Sequence, residues 1–217
     1  MKYLLFTFLL APSFFSYCQS SNTNVKDLSS TYFETVKIGN QTWSKTNLNV
    51  ESFQNGDIIP HVKSRKAWIL AGENRQPAWC YYKNKKKNGK KYGKLYNVYA
   101  VNDQRGLAPK GWHISTFSDW KDLRNYLGND AATQMRSVSE WDEKDYIATN
   151  KSGFSALPGS YRSKDSNFID LNIAMWWSAK YFDENSTRSF YVNNWFEYLF
   201  EQERENGSGL SVRLVKD

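Results

Sequence analysis

Two histidines, His61 and His113, and two cysteines, Cys18 and Cys80, are all that the 217 residues offer for metal binding by soft ligands or for proton shuttling near neutral pH. The histidines are not at ligand spacing and no cysteine cluster accompanies them, so no zinc motif is formed. Asp165, Asp170 and Asp183 do not follow the spacing of a calcium loop. Gly207-Ser208-Gly209 falls short of a Gly-x-Ser-x-Gly nucleophile elbow and reads as a turn. A Ser/His/Asp triad drawn from distant positions stays open, with nothing to single out its members. Carboxylates are plentiful, but no spacing isolates a pair suited to glycoside hydrolysis. No glycine-rich phosphate loop is present. The inventory implies no cofactor, no metal ligands and no catalytic residue.

What it does supply is flat and cationic surface. Nine Trp, fourteen Tyr and thirteen Phe make the chain 17% aromatic. Most of these rings must pack the core, but Tyr161, Arg162, Trp195 and Tyr198 are candidates for a ligand platform. Rings stack on sugar faces or on protein partners, and an arginine beside them donates in a fixed fork. The second candidate is a run of lysines, Lys83, Lys85, Lys86, Lys87, Lys90 and Lys91, extended by Lys94. The formal net charge is +7; loss of Lys2 with a leader leaves +6, and without the seven lysines the balance is −1. The basic character is therefore local. With Asn88-Gly89 inside it, the run reads as a solvated loop between strands. As a site it would meet an anionic partner such as an acidic polysaccharide or a phosphate-bearing surface, and not nucleic acid.

The elements that must position these residues centre on Gly93–Gly128. Leu95, Tyr96, Val98, Tyr99 and Val101 form an apolar run read as a strand, broken at Pro109-Lys110-Gly111. Trp112 and Ile114 alternate with His113 as a second short strand. Thr116 and Asp119 have capping-box spacing. Trp120, Leu123 and Leu127 then share one helical face, and Gly128 stops the helix. Trp112 and Trp120 are expected to be buried against each other. His113 is expected to play a structural part through a backbone carbonyl. Upstream, Val36 and Ile38 turn at Gly39-Asn40 into Thr42-Trp43, a hairpin, with Leu48 and Val50 as its continuation. A second short helix is expected within Asn129–Ser137, with Met135 inward. Trp176-Trp177 should send one ring to each side of a sheet, and Leu210, Val212 and Leu214 alternate in a final strand. Cys80, between Trp79 and Tyr81, reads as a buried thiol in a strand.

Residues 1–18, MKYLLFTFLLAPSFFSYC, have one lysine, an apolar run and no acid, the pattern of a secretory signal peptide. The run is too short to span a bilayer; the competing reading is a buried N-terminal helix. Cleavage before Gln19 is preferred, because Tyr17 fits a lipoprotein signal poorly. Membrane attachment arises only if Cys18 carries lipid. Residues 19–33 are a polar tether.

Several separated stretches, in order, resemble the Fibrobacter succinogenes major paralogous domain. They are Val36–Trp43, Gly93-Lys94-Leu95-Tyr96-Asn97, Tyr99-Ala100-Val101, Gly106–Ile114, Asp119-Trp120, Ser152–Gly159, Tyr161-Arg162, Trp176-Trp177-Ser178 and Ser211-Val212-Arg213. The resemblance covers residues 34–217. Gly111–Ile114 with Asp119-Trp120, Trp176-Trp177-Ser178 and Gly209–Arg213 also look like the formylglycine-generating enzyme family, which implies a C-type-lectin-like fold. That family's chemistry needs a pair of cysteines, and the mature chain has at most one free. Where the related domains often place a cysteine after Ser-Val-Arg, this chain has Leu214. The lectin calcium motifs are missing too, and Asn193-Asn194-Trp195 has their residues in the wrong order. Fold transfers on this resemblance and activity does not. The expectation is an α+β, C-type-lectin-like domain, one or two helices on antiparallel sheets, acting outside the cytoplasm as a secreted or cell-surface binding module for glycan or protein. The alternatives are an extracytoplasmic polysaccharide hydrolase and a structural envelope domain without a small ligand.

Overall fold

The computed structural model describes residues 33–142, 147–169 and 172–217. The leader expected over residues 1–18, with Cys18, and the tether up to residue 32 lie outside the described residues. In chain order the elements are β1 (Thr35–Ile38), β2 (Gln41–Ser44), α1 (Arg65–Glu73), β3 (Trp79–Cys80), α2 (Lys86–Tyr92), β4 (Leu95–Tyr96), α3 (Val98–Val101), β5 (Trp112–Ile114), α4 (Phe117–Leu127), α5 (Ala131–Met135), β6 (Ile173–Trp177), β7 (Ser186–Asn193), β8 (Phe200–Glu205) and β9 (Leu214–Lys216). The architecture is α+β. Among the described residues the strand-to-strand ladders are antiparallel, in sheets ordered β1-β2-β9-β5, β3-β4 and β6-β7-β8.

The local rules that hold are those set by neighbours in sequence. Gly39 takes a left-handed φ of 59°, and Ile38 pairs with Gln41 across the tight turn. At the start of α4 the Thr116 hydroxyl accepts the Asp119 N–H (3.3 Å) and the Asp119 carboxylate accepts the Thr116 N–H (2.7 Å). The helix then buries Trp120, Leu123 and Leu127 and stops at Gly128, φ 75°. Met135 of α5 is buried as its spacing implies.

Three stretches differ from expectation. The apolar run from Leu95 to Val101 is not one strand. Asn97 interrupts it: its side-chain oxygen accepts the N–H of Ala100 (3.1 Å) and of Ala78 (2.9 Å), capping α3 while holding the chain that precedes β3. The lysine run is not a loop between strands but largely α2. Gly89 lets that helix lie on Tyr81, since a Cβ there would stand 2.1 Å from the ring. Buried Tyr92 and an Asn88 side-chain bond to the Tyr82 carbonyl (2.8 Å) fix it further. Leu48, expected in a strand, instead donates its N–H to the Val212 carbonyl (2.9 Å) outside any regular sheet.

The four-stranded sheet separates two apolar clusters. Trp112 and Ile114 of β5 and Leu214 of β9 face one, with Phe53, Tyr96, Val98 and Trp177; Trp43, Val215 and the inner face of α4 face the other. Trp112 is therefore half-buried against Phe33 (4.9 Å between rings), and the expected Trp112–Trp120 pair does not form. Strand alternation explains the miss: the residue on the α4 side of β5 is His113. Trp120 instead meets Trp43 (4.9 Å), Phe190 (5.2 Å) and Trp176 (5.4 Å). Neighbouring Trp176 and Trp177 point into opposite clusters, as the sequence indicates.

Three arginines are buried and bound to backbone carbonyls, a donor supply for loops that lack sheet partners. Arg136 reaches Asn193 O (2.5 Å) and Phe196 O (3.2 Å). Arg162 reaches Val62 O and Lys63 O (2.9 Å each). Arg213 reaches Ser44 O (2.5 Å) and Phe154 O (3.1 Å).

Candidate binding cleft

Three loops converge at one end of the β6-β7-β8 sheet. The turn after α1 brings Arg75 and Pro77, α3 and its exit bring Tyr99, Asn102, Asp103, Gln104 and Arg105, and the β6–β7 connection brings Tyr181, Asp183 and Glu184. They enclose an open cleft of about 720 Å³. The loops are tied to each other: the Asn102 side-chain oxygen accepts the Lys180 N–H (3.0 Å). Arg105 grips Asp103 with two parallel bonds (2.8 and 2.9 Å), adds Asp57 (3.0 Å) and lies over the Phe53 ring (4.1 Å). The cleft is thus held by its own side chains before any ligand arrives.

Its electrostatics follow from those bonds. Arg105 hydrogen bonds hold the Asp103 carboxyl below the usual range, against the opposing effect of burial. The Asn185 and Ser186 N–H groups and the Ser186 hydroxyl do the same to Asp183. Partial burial raises the phenols of Tyr99 and Tyr181, while the nearby Arg75 charge pulls both the other way. Both tyrosines remain neutral donors with flat faces, Tyr181 at 48% exposure. The arrangement offers ring faces, a guanidinium, side-chain amides and fixed anionic acceptors around one space, suited to holding a polyhydroxylated ligand.

The platform drawn from sequence is not assembled. Arg162, 1% exposed, spends its guanidinium on the carbonyls of residues 62–64 and on Ser166, between the rings of Trp68 (4.5 Å) and Phe168 (4.9 Å). Tyr161 is also buried, with Arg204 over its ring at 4.6 Å. Both serve packing, not a surface. Trp195 and Tyr198 are exposed with Phe196 in the β7–β8 turn, at the opposite end of the sheet from the cleft. An eight-residue β7 puts these two ends roughly 26 Å apart.

Of the lysines, Lys85, Lys86, Lys87 and Lys90 are exposed, and Lys83 sits at a left-handed φ of 50° just before α2. Lys91 pairs with Glu140. Lys94 is buried on the Trp79 ring (4.5 Å), bonded to the Asn49 carbonyl (2.8 Å) and close to Glu51 (3.4 Å). His61 stacks flat on the same Trp79 ring, 3.8 Å between centroids, and its pKa is lowered by burial. His113 bridges two carboxylates, Asp217 (2.8 Å) and Asp119 (3.1 Å), in place of the expected carbonyl. Cys80 is fully buried and burial pushes its thiol up to about 11, so it stays protonated and unreactive at neutral pH. Among the described residues no group of His, Cys, Asp or Glu is arranged to hold a metal ion, and no helix is long and apolar enough to cross a membrane.

Sequence reasoning missed Tyr99, Asn102, Arg105 and Tyr181. The available signal was Tyr181-Phe182, two large rings inside the polar stretch 180–186 where no core periodicity requires them.

Together these elements define an α+β domain with a ring-lined polar cleft built on loops. More particularly, the chain belongs to the Fibrobacter succinogenes major domain family, whose model matches residues 36–216. Neither the curated proteins nor the solved structures contain a match.

Proposed function

We propose that this domain is an extracytoplasmic binding module for oligosaccharides, with the Tyr99–Tyr181 cleft as its site and a C-type-lectin-like architecture. The observation that carries the reading is the cleft itself: two half-open phenol rings beside Arg75, Asn102 and Gln104, with Asp103 and Asp183 locked as acceptors. Sugars present apolar faces for stacking and hydroxyls that both donate and accept, which this set complements. The leader-like residues 1–18 support the location, and a loop-rich body closed by its first hairpin and last strand supports the architecture. A polysaccharide hydrolase needs one carboxyl kept protonated near neutral pH. Hydrogen bonds hold Asp103 and Asp183 below the usual carboxyl range, so neither suits that acid role.

The test is a panel of neutral and acidic polysaccharides in affinity electrophoresis and calorimetry, with wild type and Tyr181→Ala. At least one polysaccharide should bind, without turnover, and Tyr181→Ala should weaken that binding tenfold or more at an unchanged melting temperature. Binding that survives both Tyr181→Ala and Tyr99→Ala, or hydrolysis lost with one carboxylate, overturns the reading.

A further inference from the structure

A second pocket, remote from that cleft in its lining, has a different chemistry. About 660 Å³ lies between the end of α2 and the segment 44–49, lined by Lys45, Lys90, Lys91 and Arg213 among its charged groups, with Glu34 the acid beside them. Gly93 shapes the wall: φ is 75°, and a Cβ there would stand 2.9 Å from Leu48 O. The absent side chain lets the helix end close on the 47–48 backbone.

Arg213 forms the floor and is 2% exposed. Its Nε donates to Asn47 Oδ1 (2.8 Å), Nη1 to Ser44 O and Phe154 O, and Nη2 to Ser155 O (3.3 Å). All four acceptors are neutral. One Nη2 hydrogen is left over from these bonds. Among the described residues no carboxylate pairs with this cation. A buried charge without a counter-ion is costly even when hydrogen-bonded; here desolvation alone pulls the guanidinium down to about 9. Lys45 is paired with Glu34 (2.6 Å) and Lys91 with Glu140, which leaves Lys90 as the second unpaired cation on the pocket wall. Arg162 and Arg136, the other carbonyl-bound arginines, do not line this pocket.

We propose that the pocket between α2 and residues 44–49 is an oxyanion site, in which Lys90 and Arg213 receive the sulfate, phosphate or carboxylate group of a small polar molecule. The volume exceeds that of an inorganic ion and leaves room for a sugar-sized body against Leu48, Leu157 and Phe33. Of the basic run, this assigns function to Lys90 on geometry, and leaves Lys85 and Lys87 as solvated charges.

The experiment titrates the protein calorimetrically, at constant ionic strength, with four probes: inorganic sulfate, inorganic phosphate, glucuronate and N-acetylglucosamine 6-sulfate. At least one should bind saturably at millimolar concentration or below. The ranking of the four separates a sulfate or phosphate group from a carboxylate, and a free ion from a sugar-borne one. Lys90→Gln should weaken that probe fivefold or more. Lys87→Gln removes the same charge from the same helix outside the pocket, and should change it less than twofold. Tyr181→Ala should leave it unchanged, so failure of the oligosaccharide cleft and failure of this site are read separately. Arg213→Lys, if it folds, should bind less tightly than wild type. No saturable binding of any probe up to 20-fold above millimolar, or equal losses in Lys90→Gln and Lys87→Gln, overturns the proposal.

Discussion

Replacing Trp120 by alanine tests the account of the core most directly. The indole is fully buried, with rings of Trp43, Phe190, Trp176 and Phe154 all within 6 Å of its own. A large aromatic side chain buries about 150–250 Å², which at ~25 cal/mol per Å² amounts to about 4–6 kcal/mol. A compact unfolded state lowers this by roughly 10–40%. Ring–ring contacts add about 0.5–1.5 kcal/mol per pair beyond area. Against them, the buried indole N–H has no acceptor among the described residues, and deleting it returns about 1–3 kcal/mol. These terms partly offset one another, and the expected loss is about 3–5 kcal/mol, the range for an aromatic removed from a core. Urea denaturation of wild type and Trp120→Ala should give that difference at an unchanged m-value, with a melting temperature lower by about 10 °C. Trp112→Ala, half-buried on the other side of the sheet, should cost less than half as much. A Trp120→Ala loss below about 1 kcal/mol, or equal losses at both sites, would refute the division of the core by the four-stranded sheet.

Three further outcomes are expected. Burial opposes charge on His113, but the carboxylates of Asp217 and Asp119 outweigh it and raise the pKa; a raised folded pKa gives stability that is complete below the unfolded value of about 6.5 and is lost as pH rises through the folded one. Wild type should therefore lose more of its urea midpoint than His113→Gln between pH 5.5 and 8, and parallel curves would remove the ion pairs from the account. Trp195→Ala and Tyr198→Ala should each melt within a few degrees of wild type, because both rings are exposed at the β7–β8 turn, and a large drop by calorimetry would place them in the core. The Cys80 thiol, fully buried and pushed up to about 11, should resist iodoacetamide at pH 8 in the native protein and react fully in guanidinium; stoichiometric native labelling would contradict its burial.

How much of this was legible in the sequence divides by the range of the interaction. The β1–β2 turn and α4 were readable because Gly39 and the Thr116–Asp119 box act within four residues. The opposite facings of Trp176 and Trp177 follow from strand alternation alone. α2 was not readable: seven residues with five charges or amides and a central glycine lack helical amphipathicity, and the helix depends on Tyr81 as a surface. The burial of Arg162 depends on the carbonyls of residues 62–64, about a hundred positions away, so a Tyr-Arg pair read as surface is core. The cleft likewise joins three loops between residues 75 and 184, and of its lining only Tyr181, marked by the adjacent Phe182, shows in the local pattern.

The pairing of Trp43 with Val215 has a kinetic consequence. β9 is the strand between the N-terminal hairpin and β5, so neither partner sheet edge is covered until the last residues are in place. As the chain is synthesised, β1 and β2 wait for most of its length before their central neighbour exists. Loops of that length close slowly, and topologies dominated by distant pairing fold on the millisecond-to-second scale. The waiting hairpin leaves Trp43 without its β9 neighbour, the kind of exposed apolar surface that makes folding intermediates prone to aggregate. Removing β9 should for the same reason leave a collapsed, poorly packed chain, not a smaller version of the domain.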